Sequence, residues 1–261
     1  MVRLNAVRHL LIAAGAWLLA PLPLAAQMQM YGDARTGLKL FNSAALSTNG
    51  LSCAHCHAHF DEEALDDGLL RPGHSLYNSA HRETWWGQDP EEPGSYQSIG
   101  AATVVCVEHY MRHPDKLTAQ QVLDFDAYLE NITRRSVSEP LALAPAADKT
   151  GAYSGFESGD RFVGRELFYA ACHSCHPNAG AGIGPALPRG KEPAFYARKV
   201  REGDGLGAVL SGLDPNAYDP RAGEFMPFFG ADRLSDDKLR HIIAYIRSLP
   251  EAPQGESEQS P

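Results

Sequence analysis

Apolar residues recur at helical spacing in two segments of the chain, and no stretch of useful length alternates apolar and polar residues. The later segment begins after Ser235, a residue type that caps helices, and it presents one apolar face. The residues of that face are Leu239, Ile242, Ile243 and Ile246. An earlier segment, residues 117–129, has the same plan after Thr118. The pattern predicts an all-α fold in which Gly/Pro-rich loops surround a non-protein group.

The two helices close two copies of a diverged internal repeat. Residues 32–41 align with residues 159–168 at an offset of 127, and Gly-Asp, a later Gly and Leu-Phe occupy matching positions. Each copy continues into a Cys-x-x-Cys-His motif, at residues 53–57 and 172–176. Two copies of about 100 residues each predict two domains.

The composition of the segments between and after the copies sets the predicted boundaries. The first domain is placed at residues 27–135 and the second at residues 159–250. Residues 136–158 are rich in Pro, Gly, Ala and Ser and are predicted to form a linker. Residues 251–261 have no apolar anchor and are predicted to be a disordered tail.

The N-terminus has the layout of a secretory signal. Arg3 and Arg8 precede an uncharged run of about ten apolar residues, and small residues follow up to Ala26. That run is shorter than the roughly 20 residues that span a membrane. We therefore predict a signal peptide at residues 1–26 and an exported, periplasmic protein, with an uncleaved N-terminal anchor as the alternative.

The charge balance excludes some partners and favours others. The chain has 23 Lys and Arg against 32 Asp and Glu, a net charge of −9, which becomes −11 if Arg3 and Arg8 leave with the signal. There is no Lys/Arg cluster, so nucleic acid is not an expected partner. Redox partners with basic docking faces are expected instead.

In an exported chain, Cys-x-x-Cys-His is the attachment motif of c-type haem. Two thiols add across the porphyrin vinyl groups, and the following His faces the iron. The predicted attachment residues are Cys53, Cys56, Cys172 and Cys175, with His57 and His176 as iron ligands. A zinc ribbon would place its Cys pairs about 15–20 residues apart, whereas Cys56 and Cys172 are 116 positions apart. The sequence thus predicts two covalently bound c-type haems.

With these motifs the chain resembles a dihaem cytochrome c built from two class I cytochrome c domains, over roughly residues 32–250. In that family a Gly and an aromatic residue on the first helix cross an aromatic residue on the last. The matching residues are Gly37, Phe41 and Tyr128 in the first copy and Gly164, Phe168 and Tyr245 in the second.

The resemblance also implies further residues for the second haem. Residues 182–187 resemble the family loop whose Pro carbonyl, here Pro185, accepts a hydrogen bond from Nδ1–H of the proximal His. Met226, in a Met-Pro pair eight residues before Leu234, stands where the family places its thioether ligand. Met226 is therefore the predicted sixth ligand.

The first copy lacks both features and leaves its sixth ligand open. Cys106 is the fifth cysteine, and ligation to iron would explain how a free thiol persists in an exported protein. Its surroundings are similar to the first domain of thiosulfate dehydrogenases and related sulfur-oxidising dihaem cytochromes, in which such a Cys is the axial ligand. Met111, His109 and His113 are the competing candidates.

These sites suggest three functions. The first is periplasmic electron transfer, with electrons passing from the first to the second haem and on to an external acceptor. The second is a haem enzyme that oxidises a small sulfur anion such as thiosulfate. The third is a dihaem subunit of a membrane oxidoreductase. Arg71 or Arg82 is expected to pair with a haem propionate, or in the enzyme Arg82 would hold the anion. Trp85 and Trp86 are expected to cover the first haem.

Overall fold

The computed structural model describes residues 31–82, 98–134, 147–219 and 225–250. In these ranges all regular structure is helical and there is no strand, which confirms the all-α prediction. Two 3₁₀ turns and one π-helical turn, Cys106–Tyr110, accompany the α-helices. The α-helices are α1 (Ala34–Asn42), α2 (Cys53–Cys56), α3 (Glu62–Leu65), α4 (Ile99–Val105), α5 (Ala119–Asn131), α6 (Arg161–Ala171), α7 (Pro193–Glu202), α8 (Leu206–Leu210) and α9 (Asp236–Ser248).

Helices α1 and α5 cross at a glycine. A Cβ on Gly37 would overlap the carbonyl oxygen of Asp124 and the Cβ of Tyr128, so only glycine permits this close approach. One turn further on, the rings of Phe41 and Tyr128 meet with centroids 5.7 Å apart. The Asp33 carboxylate caps α1 by accepting the amide N–H of residue 36.

Helices α6 and α9 repeat this crossing. We call the described residues up to 134 the first half and those from 147 onward the second half. A Cβ on Gly164 would overlap the His241 carbonyl and the Cβ of Tyr245, and the Phe168 and Tyr245 rings lie 5.3 Å apart. The Asp160 carboxylate caps α6 as Asp33 caps α1. The predicted glycine and aromatic positions therefore make the expected contacts in both halves.

From Tyr31 onward the chain forms one compact unit in which the two halves pack together. The Leu70 amide donates to the Ala170 carbonyl at 2.9 Å, and Tyr110 stacks on Phe225. Tyr153 and Phe156, from the predicted linker, are buried in the hydrophobic core of the second half, which we call the second core and which includes Phe168, Leu239 and Ile242. The domain boundaries themselves stay a prediction.

Three predicted segments fall wholly or partly outside the described residues. These are the signal peptide at residues 1–26, the part of the linker up to residue 146, and the tail at residues 251–261. Within the described ranges, no helix is both long and apolar enough to cross a membrane.

Candidate functional site

The first Cys-x-x-Cys-His motif borders a cavity. Helix α2 is a single turn, begun by a capping box between Ser52 and His55, and this turn brings both thiols and the following His57 to the same cavity. We call it the first cavity. Its lining includes Cys53, Cys56, His57, Arg82, Ile99, Cys106, Tyr110 and Met111 from the first half, and Phe225, Pro227, Phe228, Gly230, Asp232 and Arg233 from the second.

The loop of residues 72–74 fixes the orientation of the His57 ring. Its Nδ1 lies 2.7 Å from the His74 carbonyl oxygen, and because a carbonyl only accepts, Nδ1 carries the proton. Gly73 packs against the ring, where a Cβ would overlap it. Burial lowers the pKa of His57, so the imidazole is neutral and its Nε2 lone pair is available to a metal.

The second motif has the same arrangement. His176 Nδ1 donates to the Pro185 carbonyl at 2.8 Å, the hydrogen bond implied by the family resemblance. Gly184 packs against the His176 ring as Gly73 packs against His57. In both halves the amide of this glycine donates to the carbonyl of the second motif cysteine.

The acceptor for His57 was missed in the sequence because the first half lacks Gly-x-Gly-Pro. The pair Pro72-Gly73 was the available signal, since it supplies the glycine that the ring requires one residue before the acceptor. The spacing differs, however. Gly73 comes 16 residues after its histidine and Gly184 comes 8 after its own, which hid the correspondence.

Cys106 and Met111 both line the first cavity; Cys106 begins the π-helical turn and Met111 directly follows it. Burial raises the pKa of the Cys106 thiol to about 11, so the thiolate requires a compensating positive centre such as ferric iron. Met111 is 3% exposed and packs within the hydrophobic core of the first half. Of the two histidine candidates, His113 is not among the described residues that line the cavity. The side chain of His109 is not among those that the structure describes.

Met226 lies on a segment that contacts both halves. Its side chain packs against the second core, which Cys172 also contacts, while the flanking Phe225 and Pro227 line the first cavity. Its backbone is held on both sides by Asp204. The Met226 amide donates to the Asp204 carboxylate at 2.5 Å, and the Asp204 amide donates to the Met226 carbonyl at 3.2 Å.

The two arginine candidates for a haem propionate differ in their surroundings. Arg71 is already bound to the Asp67 carboxylate and the Ala54 carbonyl. Arg82 lines the first cavity, and its Nε is buried with no hydrogen-bond partner among the described residues. Burial also lowers the pKa of Arg82. A guanidinium beside the cavity could bind an anion, and a haem carboxylate would suit it. Trp85 and Trp86 lie outside the described residues.

A covalently bound haem would account for these groups. All five cysteines lie in the described part of the chain, and each is a free thiol. No group of three or more His, Cys, Asp or Glu side chains placed to hold a metal ion occurs among the residues described. Thiols, an imidazole and a guanidinium around one cavity are the groups that a haem would use.

Comparison with known proteins agrees with this chemistry. Residues 163–250 match the family model of cytochrome c. Residues 163–250 therefore form a cytochrome c domain, and such a domain indicates covalently bound haem iron and electron transfer.

No curated protein matches the chain. Among solved structures, the chain is similar to the "as isolated" form of thiosulfate dehydrogenase (TsdBA) from Marichromatium purpuratum. The identity is 17% and the TM-score is 0.33, over 82% of this chain and 45% of that one. The chain thus spans less than half of that protein, and so distant a likeness does not bear on the substrate.

Proposed function

We propose that the protein is an exported dihaem cytochrome c that transfers electrons in the periplasm, from the first haem to the second and then to an external acceptor. The observation that carries the proposal is the repeated proximal arrangement. In both halves a Cys-x-x-Cys-His imidazole donates a hydrogen bond from Nδ1–H to a carbonyl, and a glycine packs against its ring. Such a hydrogen bond fixes the tautomer and raises the basicity of a metal-bound imidazole.

The residues divide into attachment and ligation. Cys53 and Cys56 would bind one haem and Cys172 and Cys175 the other, each through two thioether bonds. His57 and His176 would be the proximal ligands, Met226 the sixth ligand of the second haem and Cys106 that of the first. The bound haems supply one-electron exchange at iron, and the surrounding residues set the potential of each.

The direction of transfer follows from the two sixth ligands. A thiolate stabilises ferric iron and lowers the reduction potential, whereas a thioether raises it. The first haem would then be the donor and the second the acceptor. The segment around Met226 supports direct exchange between them, because Phe225 and Pro227 line the first cavity while Met226 packs on the second core.

The partners and the location are also part of the proposal. A net charge of −9, or −11 without the signal peptide, favours redox partners with basic docking faces. The N-terminal pattern supports export to the periplasm, as a soluble protein or with an N-terminal anchor that would attach it to a membrane oxidoreductase.

One observation favours a second function, oxidation of a small sulfur anion at the first haem. Arg82 lines the cavity that Cys106 also lines, and its buried Nε has no hydrogen-bond partner in the part of the chain that the structure describes. If no haem carboxylate occupied Arg82, its charge would attract an anionic substrate.

Haem counting tests the main proposal. The intact mass of the purified protein should exceed that of the mature chain by two haems. The double variant Cys53→Ala/Cys56→Ala and its counterpart Cys172→Ala/Cys175→Ala should each carry one haem. A redox titration of the unaltered protein should show two one-electron steps. A single haem in the unaltered protein would overturn the dihaem proposal.

A further inference from the structure

The loop of residues 230–234 belongs to the second half of the chain but borders the first cavity. It lies between Met226 and α9, and three of its residues, Gly230, Asp232 and Arg233, line the cavity beside His57. We call it the crossing loop. Its two charged side chains, those of Asp232 and Arg233, contact residues of the first half.

Arg233 makes a two-pronged ion pair across the halves. Its guanidinium donates to both carboxylate oxygens of Glu62, at 2.5 and 2.9 Å, and its Nε donates to the Arg71 carbonyl at 3.1 Å. The Arg233 side chain is only 16% exposed, so this bidentate pair is partly shielded from solvent.

Asp232 makes the second cross-half contact. Its carboxylate lies 2.7 Å from Nε2 of His74. His74 is also the residue whose carbonyl accepts the Nδ1 proton of His57. The crossing loop therefore binds both ends of residues 71–74, and the residue at one of those ends supplies the acceptor for the proximal imidazole.

The two halves differ in what fixes the carbonyl that accepts the hydrogen bond of the proximal histidine. In the second half this carbonyl belongs to Pro185, whose ring fixes its own φ angle. In the first half the acceptor is His74, which has no such constraint. Its own half contributes the Gly73 amide bond to the Cys56 carbonyl, and the crossing loop fixes the opposite side.

We propose that Asp232 and Arg233 are positioning residues of the first haem, through which the second half of the chain sets the orientation and basicity of His57. This inference rests on the proposed function, in which His57 binds iron. Loosening residues 71–74 would weaken the bond from His57 Nδ1 to the His74 carbonyl. A less basic imidazole stabilises ferric iron less, so the reduction potential of the first haem would rise.

The test uses the dihaem protein and follows each haem separately by redox titration and by low-temperature EPR. Asp232→Ala should raise the potential of the first haem, and both Asp232→Ala and Arg233→Ala should shift its low-spin signal. Loss of the Arg233 charge by itself favours ferric iron, so the rise in potential should be smaller in Arg233→Ala. Loss of a hydrogen-bond partner of a metal ligand typically costs about 10–100-fold in metal affinity or activity. A tenfold change in the ratio of reduced to oxidised first haem corresponds to about 59 mV for one electron. The potential of the second haem should stay where it is.

Two further variants separate positioning from simple loss of structure. Arg233→Lys keeps a charge that reaches Glu62 and should recover part of the shift. The exchange Arg233→Glu with Glu62→Arg should recover more than either single change. Arg240→Ala is the matched control, because Arg240 pairs with Asp237 inside α9 and its loss should move neither haem.

The outcomes are distinguishable. Unchanged first-haem potential and EPR in both alanine variants would overturn the inference, as would an equal shift of both haems. If Arg233→Ala does not fold, Asp232→Ala decides alone, since the Asp232 and His74 side chains are 33% and 26% exposed and loss of their contact should cost little stability. A failure of the proposed function would be visible earlier, as a single haem in the unaltered protein.

Discussion

Tyr110 and Phe225 stack across the two halves, with ring centroids 4.7 Å apart and planes 10° from parallel. Tyr110 ends the π-helical turn that begins at Cys106, and Phe225 directly precedes Met226. The stack therefore joins the segments that carry the two proposed sulfur ligands. It also buries Phe225, which is 9% exposed, within the core of the first half.

Replacing Phe225 by Leu should weaken the contact between the halves. The change keeps most of the apolar volume but removes the stacked pair, so we expect a loss of about 0.5–1.5 kcal/mol in the free energy of unfolding. Denaturant titration of the holoprotein measures it. Phe162→Leu is the control, because its ring is 69% exposed and surface changes usually stay within about 0.5 kcal/mol. Equal effects of the two variants would show that the stack contributes nothing specific.

Gly164→Ala should be among the most destabilising single changes in the second half. The added methyl group would overlap the His241 carbonyl oxygen, which is backbone and cannot move without separating α6 from α9. Overpacking of this kind costs about 1–3 kcal/mol or more, and a drop in melting temperature should report it. Glu166→Ala, on the exposed side of α6, is the matched control and should change little. A Gly164→Ala variant as stable as the unaltered protein would contradict this account of the crossing.

The features that could be predicted from the sequence are those that depend on residue type at fixed spacing. The two Cys-x-x-Cys-His motifs and the glycine and aromatic positions of both helix crossings are of this kind. The His74 carbonyl could not be predicted in the same way, because any residue can supply a carbonyl and only the fold selects which one. The contacts of Asp232 with His74 and of Arg233 with Glu62 join positions 158 and 171 residues apart, and no local pattern encodes them.

Arg82→Gln should change the electrostatics of the first haem. If Arg82 pairs with a haem carboxylate, removing its positive charge favours ferric iron, so the reduction potential should fall. The unpaired carboxylate should also bind a proton at higher pH, because a neighbouring cation is what keeps its pKa low. The first-haem potential should then vary with pH over a range where that of the unaltered protein is flat. Arg35→Gln, an exposed change on α1, is the control. No change in potential, combined with lost binding of thiosulfate, would instead support the enzyme function.

Asp204→Ala should weaken ligation by Met226. The Asp204 carboxylate accepts the Met226 amide, and hydrogen bonds to charged groups contribute about 1.5–3 kcal/mol. A looser Met226 stabilises ferrous iron less, so the potential of the second haem should fall while that of the first stays constant. Asp214→Ala is a suitable control, since that carboxylate accepts only the nearby Asn216 amide among the hydrogen bonds described. A fall in both potentials would point to general loosening rather than to the ligand loop.

Cys106→Ala distinguishes the candidate sixth ligands of the first haem. Cys106 and Met111 both border the first cavity, and burial raises the pKa of the Cys106 thiol to about 11, so a compensating positive centre such as ferric iron is needed to keep it a thiolate near neutral pH. We therefore expect the oxidised protein to show a rhombic low-spin EPR signal that Cys106→Ala removes and Met111→Leu retains. The first-haem potential of Cys106→Ala should rise, because an anionic ligand is lost. The opposite result, a signal lost in Met111→Leu and kept in Cys106→Ala, would assign the iron to the thioether. Both haems would then have a thioether ligand, and the direction of electron flow would no longer follow from ligand type.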